Sequence, residues 1–260
     1  PVQWLLPLVG WRALFWGLAA LVLLAMAVIA LIVPHWRTIA TQNIATSADQ
    51  TSAAGQNDSY AAIARNAYFR RATPLGAVCF GGMVAIQSLW AGPWLTRVAG
   101  ATPLQAATGL FWMNLGMLVT FWGWGVLLPR MAARGVSVDS LVARIQPFSF
   151  VALAVMVAAG PALGEWTFVL LALYCMLSTP SAQVQPVVAM SFAPHLAGRA
   201  LSAYNLVIFL GIFVVQWGIG LGADAFESLG GSAADSLRAA MAVFGLVSVA
   251  CWVRFVRAGR

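Results

Sequence analysis

Apolar residues run along this chain in long blocks broken by short polar intervals, without the strict alternation of a half-buried strand. A helix needs roughly 20 apolar residues to cross the hydrocarbon of a bilayer. Seven intervals meet that length. They are 13–33, closed by Pro34; the charge-free stretch between Arg71 and Arg97; the stretch between Arg97 and Arg130; about 145–163; about 166–190; 200–223, ending at Asp224; and about 239–256. Thr102-Pro103 favours a helix start ahead of the third. The pattern predicts an all-α fold, a polytopic membrane helical bundle of seven transmembrane helices. Ahead of the first, residues 1–11 read PVQWLLPLVGW, as the stub of a further span whose beginning lies upstream.

The longest polar interval is 34–73. Its middle, 41–59, is rich in Ala, Thr, Ser, Gln, Asn and Asp, the composition of a flexible connector. Asn57-Asp58-Ser59 matches a glycosylation acceptor, which carries no meaning on a cytoplasmic loop. Its end, 60–71, sets Ile63, Ala67 and Tyr68 among Arg65, Arg70 and Arg71. Two readings stand: a short amphipathic helix on the membrane surface, or the leading turns of the next span.

Composition agrees with the pattern. Apolar types make up 62% and charged types 8%, where a soluble domain carries about 25% charged residues. The net charge of +7 comes entirely from arginine and is not gathered into a nucleic-acid-binding stripe. It follows membrane topology instead. Arg37, Arg65, Arg70, Arg71, Arg130, Arg134, Arg144, Arg199, Arg254, Arg257 and Arg260 fall on one side of the predicted spans, and Arg12, Arg97 and Arg238 on the other. The arginine-rich side is therefore read as cytoplasmic, with the 34–73 loop and the C-terminus. Glu165, Asp224, Glu227 and Asp235 mark the opposite face. Cys79, Cys175 and Cys251 lie in apolar runs without disulfide or metal spacing, as small buried residues. No cofactor is expected.

A polar side chain within hydrocarbon faces the bundle or a wet cavity. The first, fourth and seventh spans carry few such groups. The second holds Gln87 and Ser88, with Trp90 and Trp94 at i+3 and i+7 from Gln87 on one helical face. The third holds Asn114 and Thr120. The fifth carries Tyr174, Ser178, Ser181 and Gln185 as a stripe, and the sixth Asn205 and Gln216, about three turns apart, with Tyr204 nearby. Four spans with polar faces are expected around a central polar path; interhelical hydrogen bonding alone is the other reading. Gly92-Pro93 interrupts the second span, and Pro180 and Pro186 the fifth. Gly218-x-x-x-Gly222 allows a neighbour close to the sixth. Mid-span positions hold no charged residue or histidine, so a proton-coupling carboxylate, if used, is expected upstream of this chain.

These residues resemble the major facilitator superfamily of transporters. Gly10-Trp11-Arg12 resembles the outer loop between helices five and six, and 34–73 the central cytoplasmic linker between six-helix halves. The stretch from Gly125 through Pro129 and Arg130 to Arg134 and Gly135 resembles the family's Gly-x-x-x-Asp-Arg loop, with Pro129 in place of Asp. Residues 193–200, Ala-Pro-His-Leu-Ala-Gly-Arg-Ala, resemble the loop before helix eleven. The resemblance covers the whole chain. It implies residues 1–33 as a stub of helix five with helix six, 34–73 as linker, and 74–260 as the C-terminal six-helix half. It also implies alternating access, a bacterial inner-membrane location, and Gly125, Arg130 and Arg134 as a gating loop.

The function expected is secondary active transport of a small solute, not enzymatic turnover, with the lipid bilayer as surroundings, no nucleic acid, and proton coupling through the N-terminal half. The candidate cavity residues are Gln87, Trp90, Asn114, Tyr174, Ser178 and Asn205. The alternatives are a seven-helix membrane receptor or photoreceptor, which the helix count invites, and an integral-membrane enzyme; a retinal protein would need a Schiff-base lysine, and the chain has none. An integral-membrane enzyme would need a positioned acid, base or metal. His35 and His195 each stand beside a proline in predicted loops, with no acid cluster around them.

Overall fold

The structure, a computed structural model, describes residues 2–32 and 60–259, with the side chains of 9–31 and 60–259. It falls into two units, 1–59 and 60–260. The 41–59 connector, Asn57-Asp58-Ser59, His35 and Arg37 lie outside the described residues.

In the first unit, α1 spans Val2–Ile32 and is broken once, at Gly10 (φ 73°, ψ 160°). That left-handed φ is open to glycine and strained for other residues. The helix resumes at Trp11, whose ring stands edge-on to Phe15 at 6.2 Å, with the Arg12 guanidinium 5.2 Å from its centre. Gly10-Trp11-Arg12 is thus a one-residue break, not the loop the resemblance implied. The long apolar part, Val9–Leu31, is sufficient to cross a membrane.

The second unit holds α2 (Tyr60–Arg65), α3 (Ala67–Val98), α4 (Pro103–Ala133), α5 (Val138–Ala159), α6 (Trp166–Met190), α7 (Pro194–Ser228) and α8 (Ala233–Arg257). The last six of these, with α1, are the seven helices of the described residues long and apolar enough to span. The chain is a multi-pass membrane protein of the all-α class. Side-chain caps fix several starts. Asn66 Oδ1 accepts from Phe69 N–H (3.0 Å), Ser137 Oγ from Ser140 N–H (3.2 Å), and Ser232 Oγ from Asp235 N–H (3.1 Å). Thr102 and Gln105 form a reciprocal capping box ahead of α4.

Asn66 also divides the two readings of 60–71. Tyr60–Arg65 is a separate short helix, and from Ala67 the residues are the leading turns of α3. Ile63 is buried in the bundle, so α2 packs through it on protein rather than membrane surface. Several helices outrun their apolar windows, α5, α7 and α8 most clearly. α5 starts at Val138, and α7 occupies 35 residues, enclosing His195, Gly198-Arg199 and Asp224. α8 likewise starts at Ala233, before the 239–256 window. Hydropathy reads only the hydrocarbon slab, whereas a helix satisfies its own backbone on both sides of it. His195 is therefore helical, not a loop residue.

α3 packs on α7, α8 and α4; α5 on α6 and α8; and α6 on α4 and α7. One core cluster gathers Met83, Ile86, Trp94, Met113, Met156 and Phe244; a second gathers Phe69, Leu75, Val142, Val188, Tyr204 and Phe255. With little hydrophobic drive between helices in lipid, close packing of small residues matters most. α3 and α7 meet backbone to backbone: a Cβ at Gly211 would land on the Ala77 backbone, and one at Gly81 would come within 3.1 Å of Ile208 O. At the expected Gly218-x-x-x-Gly222 pair, only Gly222 has a neighbour, Ala240 of α8, while Gly218 meets nothing.

Two polar clasps hold the ends. Arg238 of α8 donates to Val157 O (3.0 Å) and Ala158 O (2.9 Å), capping the last carbonyls of α5. It fits because Gly160 (φ 51°) has no side chain to strike the guanidinium. At the opposite end Arg71 of α3 pairs with Asp139 of α5 (2.7 Å), donates to Phe255 O (2.7 Å) and lies 4.1 Å over the Phe255 ring of α8. Tyr68 O–H donates to the same carboxylate (2.8 Å).

Candidate functional site

Polar groups of three helices meet about three turns from the ends of α3, α4 and α7 that carry the 99–102 and 229–232 loops. Gln87 Nε2 of α3 donates to Asn114 Oδ1 of α4 (2.7 Å), and Asn114 Nδ2 donates back to Leu110 O (2.7 Å). The next residue, Ser88, accepts from Gln216 Nε2 of α7 (3.1 Å) while its hydroxyl donates to Val84 O (2.6 Å). Trp90 Nε1 donates to Gln216 O (3.1 Å). Asn114 and Ser88 are exposed, and Gln87, Trp90 and Gln216 half-buried. Each amide carries two N–H donors and two acceptor sites, so these bonds leave capacity for another molecule. Gln216 also borders a cavity of about 320 Å³ with Phe213, Trp217 and Asp224.

The other three candidates lie elsewhere. Tyr174 and Ser178 are buried inside the bundle, the Ser178 hydroxyl donating to Tyr174 O (2.8 Å) and Ser181 to Ser178 O (2.6 Å). In the predicted stripe on α6, the Ser178 and Ser181 hydroxyls are thus bonded to their own backbone in the core, and do not join the Gln87–Asn114 group. Below it, Thr179–Gln183 is a 3₁₀ turn at Pro180, while Pro186 sits in the helical turns 184–190 without breaking them. Asn205 pairs with Gln185 of α6, bridging α6 to α7 apart from the α3–α4 contact.

Trp94, expected beside Gln87 and Trp90, is fully buried. The reason is local. α3 runs as π-helix over Leu75–Phe80, Ile86–Trp90 and Trp94–Val98. Each such turn takes extra residues, so positions seven apart no longer share a face. Gly92-Pro93 does not stop this helix; it lies within it, in the Ala91–Pro93 α-turn between two π-helical stretches.

The gating loop is corrected as well. α4 continues through Gly125, Pro129 and Arg130 to Ala133, and only Arg134 and Gly135 leave it. Pro129 has no N–H to bond the Gly125 carbonyl, yet the helix runs past it to Ala133. The carbonyl of Val126 is held by the Arg130 guanidinium at 2.9 Å. Gly125 and Arg130 are therefore helical and exposed, and Arg134 is the helix cap.

Two features escaped the sequence reading. Asp139, the anion of the Arg71 clasp, was masked by the surrounding arginines. A cavity of about 710 Å³ between α4 and α6 contains none of the six candidates; Gln105, Thr108, Trp112, Glu165 and Phe168 line it. Its signal was faint: Gly109 of α4 and Phe168 of α6 become neighbours only once the two helices pair.

Comparison with protein-family models, curated proteins and solved structures returns no match.

Proposed function

We propose that the chain is the C-terminal part of a secondary transporter of the major facilitator type, moving a small solute by alternating access. The observation that carries this reading is the polar belt joining three spanning helices: Asn114 to Gln87, and Ser88 with Trp90 to Gln216. A polar group set in hydrocarbon costs several kcal/mol, roughly, if left unpaired. A belt that keeps hydrogen-bonding capacity and stays partly open is suited to a wet path through the membrane. The facing wall would come from a preceding six-helix half, which would also supply any proton-coupling carboxylate. Uncharged amides and an indole favour a neutral or amphipathic solute. The arginine-rich end, with Arg65, Arg70, Arg71, Arg130, Arg134, Arg254 and Arg257, would face the cytoplasm of a bacterial inner membrane.

Uptake by proteoliposomes holding the full-length protein tests the reading, using a radiolabelled panel of neutral and amphipathic solutes with and without an imposed proton gradient. Gln87→Ala and Asn114→Ala each remove bonds worth about 1 kcal/mol, so uptake falls roughly fivefold at unchanged protein level. Wild-type uptake in both variants would remove the belt from the solute path.

A further inference from the structure

The α4–α6 groove has a chemistry of its own. It extends about three turns along α6 from Glu165 toward Met176, roughly 16 Å. Its volume, about 710 Å³, lies in the range of pockets that take drug-sized molecules. α4 makes room with glycine: a side chain at Gly109 would strike the Phe168 ring, and one at Gly116 would come 3.1 Å from the Met176 sulfur.

The lining combines aliphatic residues, Leu104, Val169, Ala172 and Leu173, with electron-rich groups. Trp112 and Phe168 supply aromatic rings and Met176 a thioether. Thr108 has given its hydroxyl proton to Leu104 O (2.9 Å), leaving its oxygen as an acceptor. Glu165 contributes a carboxylate at the end of the groove. Although it stands at the cap position of the 166–178 helix, its side chain makes no capping bond. No Arg or His lines the groove; the N–H donors among the lining side chains are the Trp112 indole and the Gln105 amide, whose oxygen is occupied by the Thr102 capping box. One carboxylate, π faces and an apolar body complement a molecule with one diffuse positive charge and a large apolar part.

We propose that this groove binds a hydrophobic monocation, an aryl- or alkyl-substituted ammonium or phosphonium, with its charge at Glu165 and its body against Trp112 and Phe168. The site shares no residue with the Gln87–Asn114 belt, and the proposal stands on the groove, independently of the transport reading.

Saturation binding of tritiated tetraphenylphosphonium to the purified full-length protein in detergent is the test. Wild type binds saturably. Glu165→Gln and Trp112→Ala each weaken binding roughly two- to fivefold, the size of a cation contact at an exposed site. Glu165→Asp recovers part of the affinity, and Gln87→Ala leaves it unchanged. Neutral triphenylphosphine oxide binds wild type and Glu165→Gln alike. Both altered positions are exposed, and a monodisperse size-exclusion peak establishes that the variants fold. Equal affinity in wild type and Glu165→Gln overturns the proposal, as does binding that never saturates. A phospholipid held in the groove in native mass spectrometry and not displaced by the phosphonium also overturns it. Phosphonium binding that survives in a protein showing no uptake would count against transport alone; uptake without phosphonium binding would count against the groove alone.

Discussion

Gly211 sits where α7 crosses the Ala77 backbone, and no side chain fits there without moving a helix. Gly211→Leu is expected to destabilise the detergent-solubilised protein by about 1–3 kcal/mol, the usual cost of overpacking. Thermal unfolding measures it, and an unchanged midpoint would mean that the two helices are further apart than described. Gly218→Leu, where nothing lies near, serves as the contrast and should be close to neutral. Arg71 and Asp139 make the second residue-scale prediction. Their ion pair is mostly shielded and shares partners with Tyr68 and Phe255. In a double-mutant cycle, Arg71→Ala and Asp139→Ala should couple by about 0.5–3 kcal/mol. Simple additivity would show that the pair is merely adjacent. Neither feature was legible in the sequence, since Gly211 is one of 24 glycines and its meaning lies in a partner on another helix.

At the scale of elements, helix ends were easier to anticipate than helix faces. Thr102-Pro103 opens α4 as its residue types require, because caps and N-terminal prolines act within one turn of chain. The faces of α3 were misjudged, because the π-helical turns at Ile86–Trp90 and Trp94–Val98 rotate everything beyond them. Gln87 was placed correctly on a polar face, while Trp94 was sent into the core. The C-terminal end of α5 yields the third prediction. Arg238 satisfies two of its last carbonyls from α8, so Arg238→Ala should lower stability by about 1 kcal/mol. Arg238→Lys should recover part of that, keeping the charge without the two-pronged guanidinium. Equal melting points for all three proteins would exclude a capping role.

Across the whole molecule, the proposed orientation can be checked with single cysteines. Cys79 and Cys175 are buried and Cys251 is partly covered, so a background with all three replaced should fold with modest loss. A cysteine at position 135 should then react with an impermeant maleimide only from the cytoplasmic side, and one at position 231 only from outside. Labelling of both from one side would overturn the topology. The α4–α6 groove also belongs to this scale, since its walls come from segments about sixty residues apart in sequence.

The sequence by itself determined the class and the number of crossings. Apolar runs this long cannot be dissolved in water, and a backbone inside hydrocarbon must bond to itself, which leaves helices. It also determined where α4 begins, since the Thr102-Pro103 cap is local. Only the tertiary structure decided which polar groups meet. Gln87 finds Asn114 and Ser88 finds Gln216, whereas Tyr174 and Ser178 turn into the core. That outcome depends on how the helices pair and on where the winding of α3 departs from 3.6 residues per turn, neither of which is written in the spacing of residues along one helix.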